Sequence, residues 1–162
     1  MEPWLAGRFA ALPPISRLLC CSLEHSLADV RQWIEPLTDA QIWTEVLPGQ
    51  SAGFQLRHLA GSVDRLLTYA KEEAIREEQL TFLRKEREPG AGKEELLAEV
   101  ARTFEAASAF AENARDYEAP RYIGRQRLET PLGVLLGHIA EHTQRHTGQL
   151  IVLVKMARGA GA

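Results

Sequence analysis

The sequence predicts an all-α protein, a four-helix bundle with short accessory helices. Three observations predict it. Apolar residues recur at helical spacing almost throughout. Four segments are long enough to form amphipathic helices that pair into a bundle, and no internal repeat or low-complexity stretch interrupts them. The 162 residues, 45% apolar and 25% charged, suffice for one globular domain that buries roughly two-thirds of its unfolded surface. We therefore expect a single domain over 1–162, with its core at about 14–156.

Pro14 suits the first turn of a helix. The stripe Ile15, Leu18, Leu19, Leu23, Leu27, Val30 and Ile34 carries that helix to Pro36, which ends it. Thr38-Asp39-Ala40-Gln41 reads as a capping box opening a short helix through Ile42 and Trp43, stopped by Pro48-Gly49. A second long helix begins after Ser51, runs through Leu59, Val63, Leu66, Leu67 and Ala70, and enters the charge-dense stretch from Lys71 to Glu88. Six acids and five bases mix there as on a solvated helix face, and the stretch is assigned no chemistry.

Pro89-Gly90-Ala91-Gly92 separates it from a third long helix, about Glu94 to Arg115, which buries Leu97, Val100, Ala101, Phe104 and Ala107. Asp116 to Glu129 lacks a helical period and is expected to be a long connection. Thr130-Pro131, a cap followed by a first-turn residue, opens a fourth long helix that runs to about Met156. The connections after the first and third long helices exceed what a tight up-down bundle needs, which leaves the topology open.

Nineteen Lys+Arg against 22 Asp+Glu give a formal charge of −3, so no overall positive field draws the chain to nucleic acid or an anionic membrane. The longest apolar runs, such as Leu150 to Val154, fall far short of the ~20 residues that span a bilayer. Met1-Glu2-Pro3-Trp4 also lacks the basic start and apolar stretch of a signal peptide. Cys20 and Cys21 are neighbours rather than a disulfide framework, which points to a reducing compartment. The expectation is a cytoplasmic protein without nucleic-acid or membrane partners.

Three of the five histidines, His138, His142 and His146, recur every four residues on the last long helix. An i,i+4 pair projects one turn apart from a single face, as helical metal sites place two imidazoles on one cation. Eight residues of helix span ~12 Å, whereas two nitrogens on one zinc are at most about 4 Å apart. The chelating pair is therefore His138/His142 or His142/His146. With Ile139 as reference and about 100° per residue, Leu132, Leu135, Leu150 and Leu153 fall within about 40° of it, His146 about 20° away, His142 about 60° and His138 about 100°. His142 and His146 thus interrupt a row of core residues, and His138 sits on its shoulder. An unpaired buried imidazole nitrogen costs roughly 1–3 kcal/mol. A metal would satisfy it, and so would a carbonyl or carboxylate on a facing helix. A tetrahedral site needs one more protein ligand, and periodicity does not choose between His25 and His58.

Phe54-Gln55-Leu56-Arg57-His58-Leu59-Ala60-Gly61-Ser62-Val63-Asp64-Arg65-Leu66-Leu67-Thr68-Tyr69-Ala70, followed by His138-Ile139-Ala140-Glu141-His142-Thr143-Gln144-Arg145-His146-Thr147-Gly148-Gln149, resembles the DinB/YfiT-like metalloenzyme superfamily. The resemblance covers about Pro14 to Lys155. It implies a four-helix bundle whose metal is held by one histidine of the second long helix and two of the last, here His58, His142 and His146. His138 then stands one turn before the pair, as an outer residue or beside an open coordination position. The resemblance also implies a homodimer. Some relatives are transferases or isomerases that depend on small thiols, the metal activating the thiolate.

Zinc and nickel both suit imidazole ligands, and such an ion could lower the pKa of a bound water to about 7 or hold a small-molecule thiol as thiolate. The expected activity is thiol-dependent S-transferase-like or hydrolase-like; the alternative is a non-catalytic metal-stabilised binding or dimerisation module. No catalytic acid or base is identified. Glu141 points about 160° from the stripe reference and reads as a surface ion-pair residue. Tyr69 and Gln149 lie near the histidine shoulders of their helices, as outer residues within reach of a substrate. Cys20 and Cys21, amid leucines, read as inert core. Arg115, Arg121, Arg125 and Arg127 punctuate the stretch before the last helix; they would grip an anionic substrate if folded over the bundle mouth, and otherwise belong to a solvated loop.

Overall fold

The computed structural model describes residues 3–159. Four long helices, α1 (Pro14–Ile34), α3 (Ala52–Ala70), α5 (Lys93–Asn113) and α6 (Leu132–Gly159), form the bundle; α2 (Asp39–Ile42) and α4 (Glu77–Lys85) are accessory, and β1 (Pro120–Ile123) with β2 (Leu128–Pro131) makes one hairpin. Each of α1 and α3 packs on both α5 and α6, so α1 and α3 occupy opposite corners. The links α1 to α3 and α5 to α6 therefore cross diagonals. That is why they are long: one carries α2 and the other the hairpin.

Local chemistry sets most boundaries. Pro14 occupies the first turn of α1, where a missing N–H costs nothing. Thr38 and Gln41 form the capping box of α2, and the Ser51 hydroxyl accepts from the Phe54 amide at 3.1 Å to start α3. The core is Leu19, Leu23 and Val30 of α1, Leu56, Leu59 and Val63 of α3, Leu96, Val100 and Phe104 of α5, and Leu136, Ile139 and Leu150 of α6, all essentially inaccessible. Cys20 and Cys21 are buried and unbridged. Burial pushes the Cys20 thiol up to about 11, so it has little thiolate for nucleophilic work.

Three expectations are corrected. The second long helix does not continue into the charged stretch: it stops at Ala70, Glu72 turns the chain with φ 61°, and a separate α4 folds back against α3. Gly61 permits that return, since a Cβ there would lie 2.8 Å from both Glu86 Oε1 and the Phe82 ring. Asp116 to Glu129 is not a plain connection but contains β1 and the start of β2, joined by a turn with Gly124 at φ 70° and Arg127 at φ 51°. Four-residue strands are too short to announce themselves by alternation. Thr130-Pro131 does not cap the last helix either. Both residues pair in the hairpin, and the carbonyls of Ala119 and Tyr117 receive the Leu132 and Gly133 amides at 2.9 and 2.8 Å.

Among the described residues, no helix is long and apolar enough to cross a membrane.

Candidate metal centre

His58 lies in the second turn of α3, and His142 and His146 lie one turn apart on α6. Packing of α3 on α6 brings the three together. Their rings are 5.4 Å (His58–His142), 4.3 Å (His58–His146) and 4.3 Å (His142–His146) apart between centroids. One ring nitrogen of each lies within 4.8 Å of those of the other two. Nitrogens on one zinc are at most about 4 Å apart, a difference that small ring rotations span.

Each ring meets different surroundings. His58 Nδ1 is 3.0 Å from Glu86 Oε2, and the other oxygen of that buried carboxylate accepts from Arg65 Nη1 at 3.0 Å. His146 Nδ1 is 3.0 Å from the side-chain oxygen of Gln55, itself buried, whose amide nitrogen donates to Gln50 Oε1 at 3.2 Å. His58 thus spends Nδ1 on an outer partner and keeps Nε2 for a ligand, while the His146 ring interacts with Gln149 as well as Gln55. His142 Nδ1 is buried without a hydrogen-bond partner among the described residues. Such an atom loses its solvation with nothing in return, and a cation would compensate it.

Burial lowers the pKa of His142 from 6.5 to about 4, with the neighbouring His146 and His58 acting in the same direction. Burial likewise lowers His146 to about 4, assisted by His58 and Arg145. Both imidazoles are therefore neutral at pH 7, the state that ligates metal. Neutral nitrogen donors, one orphaned buried nitrogen and outer acceptors on the other two rings fit a divalent cation.

The centre opens onto a groove of about 760 Å³ whose wall includes Leu47, Gln50, Phe54, Arg145, Gln149 and Val152. A smaller cleft of about 300 Å³ between α3, α4 and α5 is lined by Asp64, Arg65, Arg76, Gln79 and Arg102, without any of the three histidines.

A model of the DinB superfamily matches residues 22–150, most of the chain. The chain belongs to the DinB superfamily. No curated protein matches it. Membership in this superfamily and the convergence of His58, His142 and His146 both fit a metal-binding protein.

The other residues singled out in the sequence are distributed differently. His138 stands outside the trio, its ring 5.6 Å from that of His142 and its Nδ1 3.4 Å from Glu141 on the exposed side of α6. Glu141 also pairs with Arg145. Gln149 lines the groove. Tyr69 is not beside the centre: it follows His58 by eleven residues, ~16 Å of helix rise, and packs against the core at the hairpin end. His25 lies on α1 with Nε2 3.6 Å from Asp29.

The four arginines do not gather over a substrate. Arg121 is buried and donates to the carbonyls of Ala70 at 2.7 Å and Pro120 at 2.9 Å, which ties the hairpin to the end of α3. Arg127 lies over the Tyr122 ring, Arg115 donates to the carbonyls of Glu112 and Ala114, and Arg125 is exposed. Sequence reasoning missed Glu86, Arg65 and Gln55. Gln55 stands three residues before His58, on the same helix face, a signal that was available. Glu86 had none, because its burial depends on α4 folding back.

Proposed function

We propose that this DinB-superfamily protein holds a divalent metal ion through His58, His142 and His146 and activates a low-molecular-weight thiol or a water. The reaction would be S-transferase-like or hydrolase-like, on a small molecule. Convergence of three imidazoles from two helices carries this proposal. Zinc and nickel both match such a donor set, and either supplies Lewis acidity that lowers the pKa of a bound water or thiol. Three protein ligands leave room for such a group, as in catalytic rather than structural zinc sites.

The chain's own residues do the rest. Gln55 and Glu86 aim two of the rings. Leu47, Phe54 and Val152 offer the groove an apolar side that excludes water from a bound substrate, while Gln50 and Gln149 offer amides that orient it. A second reading, a metal-stabilised binding or dimerisation module, draws on the exposed Leu47 and Val152 beside the groove, apolar surface that another copy of the chain would cover. A cytoplasmic location accords with the use of a cellular thiol and with two unbridged cysteines.

Metal analysis of protein purified without a histidine tag tests the proposal. Wild type should carry zinc or nickel at about one ion per chain and His142→Ala only background; equal content in the two would end it. Cobalt-substituted protein separates the two readings. A visible spectrum that shifts on adding a small thiol supports an open, reactive ion, and an unmoved spectrum supports a structural one.

A further inference from the structure

The three imidazoles are backed unequally. Behind His58 stands a carboxylate, and behind His146 a neutral amide. We infer that Glu86, held in place by Arg65, is a positioning residue for the metal centre, making His58 its strongest ligand. This inference rests on the metal-binding reading above.

A carboxylate only accepts hydrogen bonds, and both oxygens of Glu86 are committed: Oε1 to Arg65 Nη1 and Oε2 to His58 Nδ1, each at 3.0 Å. His58 must therefore carry its proton on Nδ1, which leaves the Nε2 lone pair for a cation. The negative charge behind the ring also makes Nε2 a stronger donor. Gln55 aims His146 in the same way, since its amide nitrogen is engaged by Gln50 and its oxygen faces the ring, but without charge.

Glu86 follows directly on α4 and is almost wholly buried, with α3 beneath it notched at Gly61, where a Cβ would touch Glu86 Oε1. A clamp between α3 and α4 would need only the Arg65–Glu86 pair. The second oxygen, turned to His58, goes beyond that requirement.

Glu86→Gln keeps the shape and removes the charge, and Glu86→Asp restores the charge at shorter reach. Zinc affinity is measured by competition with a chromophoric chelator, and the His58 tautomer by long-range proton–nitrogen NMR of the metal-free proteins. The expected result is a loss of about 10–100-fold in zinc affinity for Glu86→Gln, with partial recovery in Glu86→Asp. Wild-type His58 is expected as the Nδ1–H tautomer, shifting toward Nε2–H in Glu86→Gln, where the amide can present its NH2 group to the ring. Equal affinity in wild type and Glu86→Gln, or an unchanged tautomer, overturns the inference and leaves the metal centre standing. If Glu86→Gln does not fold, the wild-type spectrum decides: an Nε2–H tautomer at His58 overturns the inference. Wild type that binds no zinc overturns the metal reading, and this inference with it.

Discussion

At the hairpin end of the bundle, buried Arg121 gives its protons to the carbonyls of Ala70 and Pro120, and the start of α6 is closed by the carbonyls of Ala119 and Tyr117. Towards the other end, three imidazoles face one another across α3 and α6, and His142 Nδ1 is buried without a partner among the described residues. Both ends bury polar groups. The first directs them at backbone and so secures the hairpin to the helices; the second gathers three imidazoles, two of them held by Glu86 and Gln55, where a cation would fit between them. Buried polarity alone does not mark a functional site; what distinguishes this one is three imidazoles converging from two helices.

The sharpest way to break this contrast is His142→Ala, which should abolish zinc or nickel retention while the circular dichroism of the metal-free protein stays helical. A helical variant with full metal content would make the two ends alike. Gly61→Ala comes next. The added methyl meets Glu86 and Phe82 at 2.8 Å, so we expect about 1–3 kcal/mol of destabilisation in urea melts, with weakened zinc binding because Glu86 is displaced. A loss of stability with zinc affinity intact would detach α4 from the centre.

Arg121→Met should have the opposite profile. It leaves the Ala70 carbonyl without its donor and should cost about 1–2 kcal/mol by the same melts, without changing metal affinity.

A separate effect concerns pH. In the unfolded chain His142 and His146 take up protons near pH 6.5, but in the folded metal-free protein only near pH 4. Across that window the unfolded state binds more protons, so stability is fully present above about pH 6.5 and falls as pH drops to about 4. Thermal melts of chelator-treated protein should show this decline, and it should shrink in the double variant His142→Ala/His146→Ala. A slope unchanged by the double substitution would mean that other groups produce it.

Much of the fold was legible because its signals are local. Pro14, the Thr38–Gln41 capping box and Ser51 each act within one turn, and each stands at the helix start expected of it. His142 and His146 were legible as a pair for the same reason: they share one helix face, and their place in the row of leucines does not depend on any other helix. His58 was not legible from periodicity, since its partners lie some 85 residues away along the chain. The family resemblance, not the spacing, singled it out. Where a local signal misled, a distant contact had overridden it. Thr130-Pro131 looks like a helix cap, yet pairing with Pro120 and Arg121 takes both residues into a strand. Arg121 looks like a solvent or anion-binding residue, yet the end of α3 supplies it with a carbonyl.

The amino-acid order by itself determined the four long helices, most of their starting points, and the histidine row on α6, because backbone capping and 3.6-residue periodicity operate over a few neighbouring positions. Only the tertiary structure decided that α3 lies against that row, that α4 returns over Gly61 to bury Glu86 behind His58, and that the hairpin takes up Arg121. Those outcomes depend on which helix faces meet across the bundle, which no stretch of sequence encodes alone.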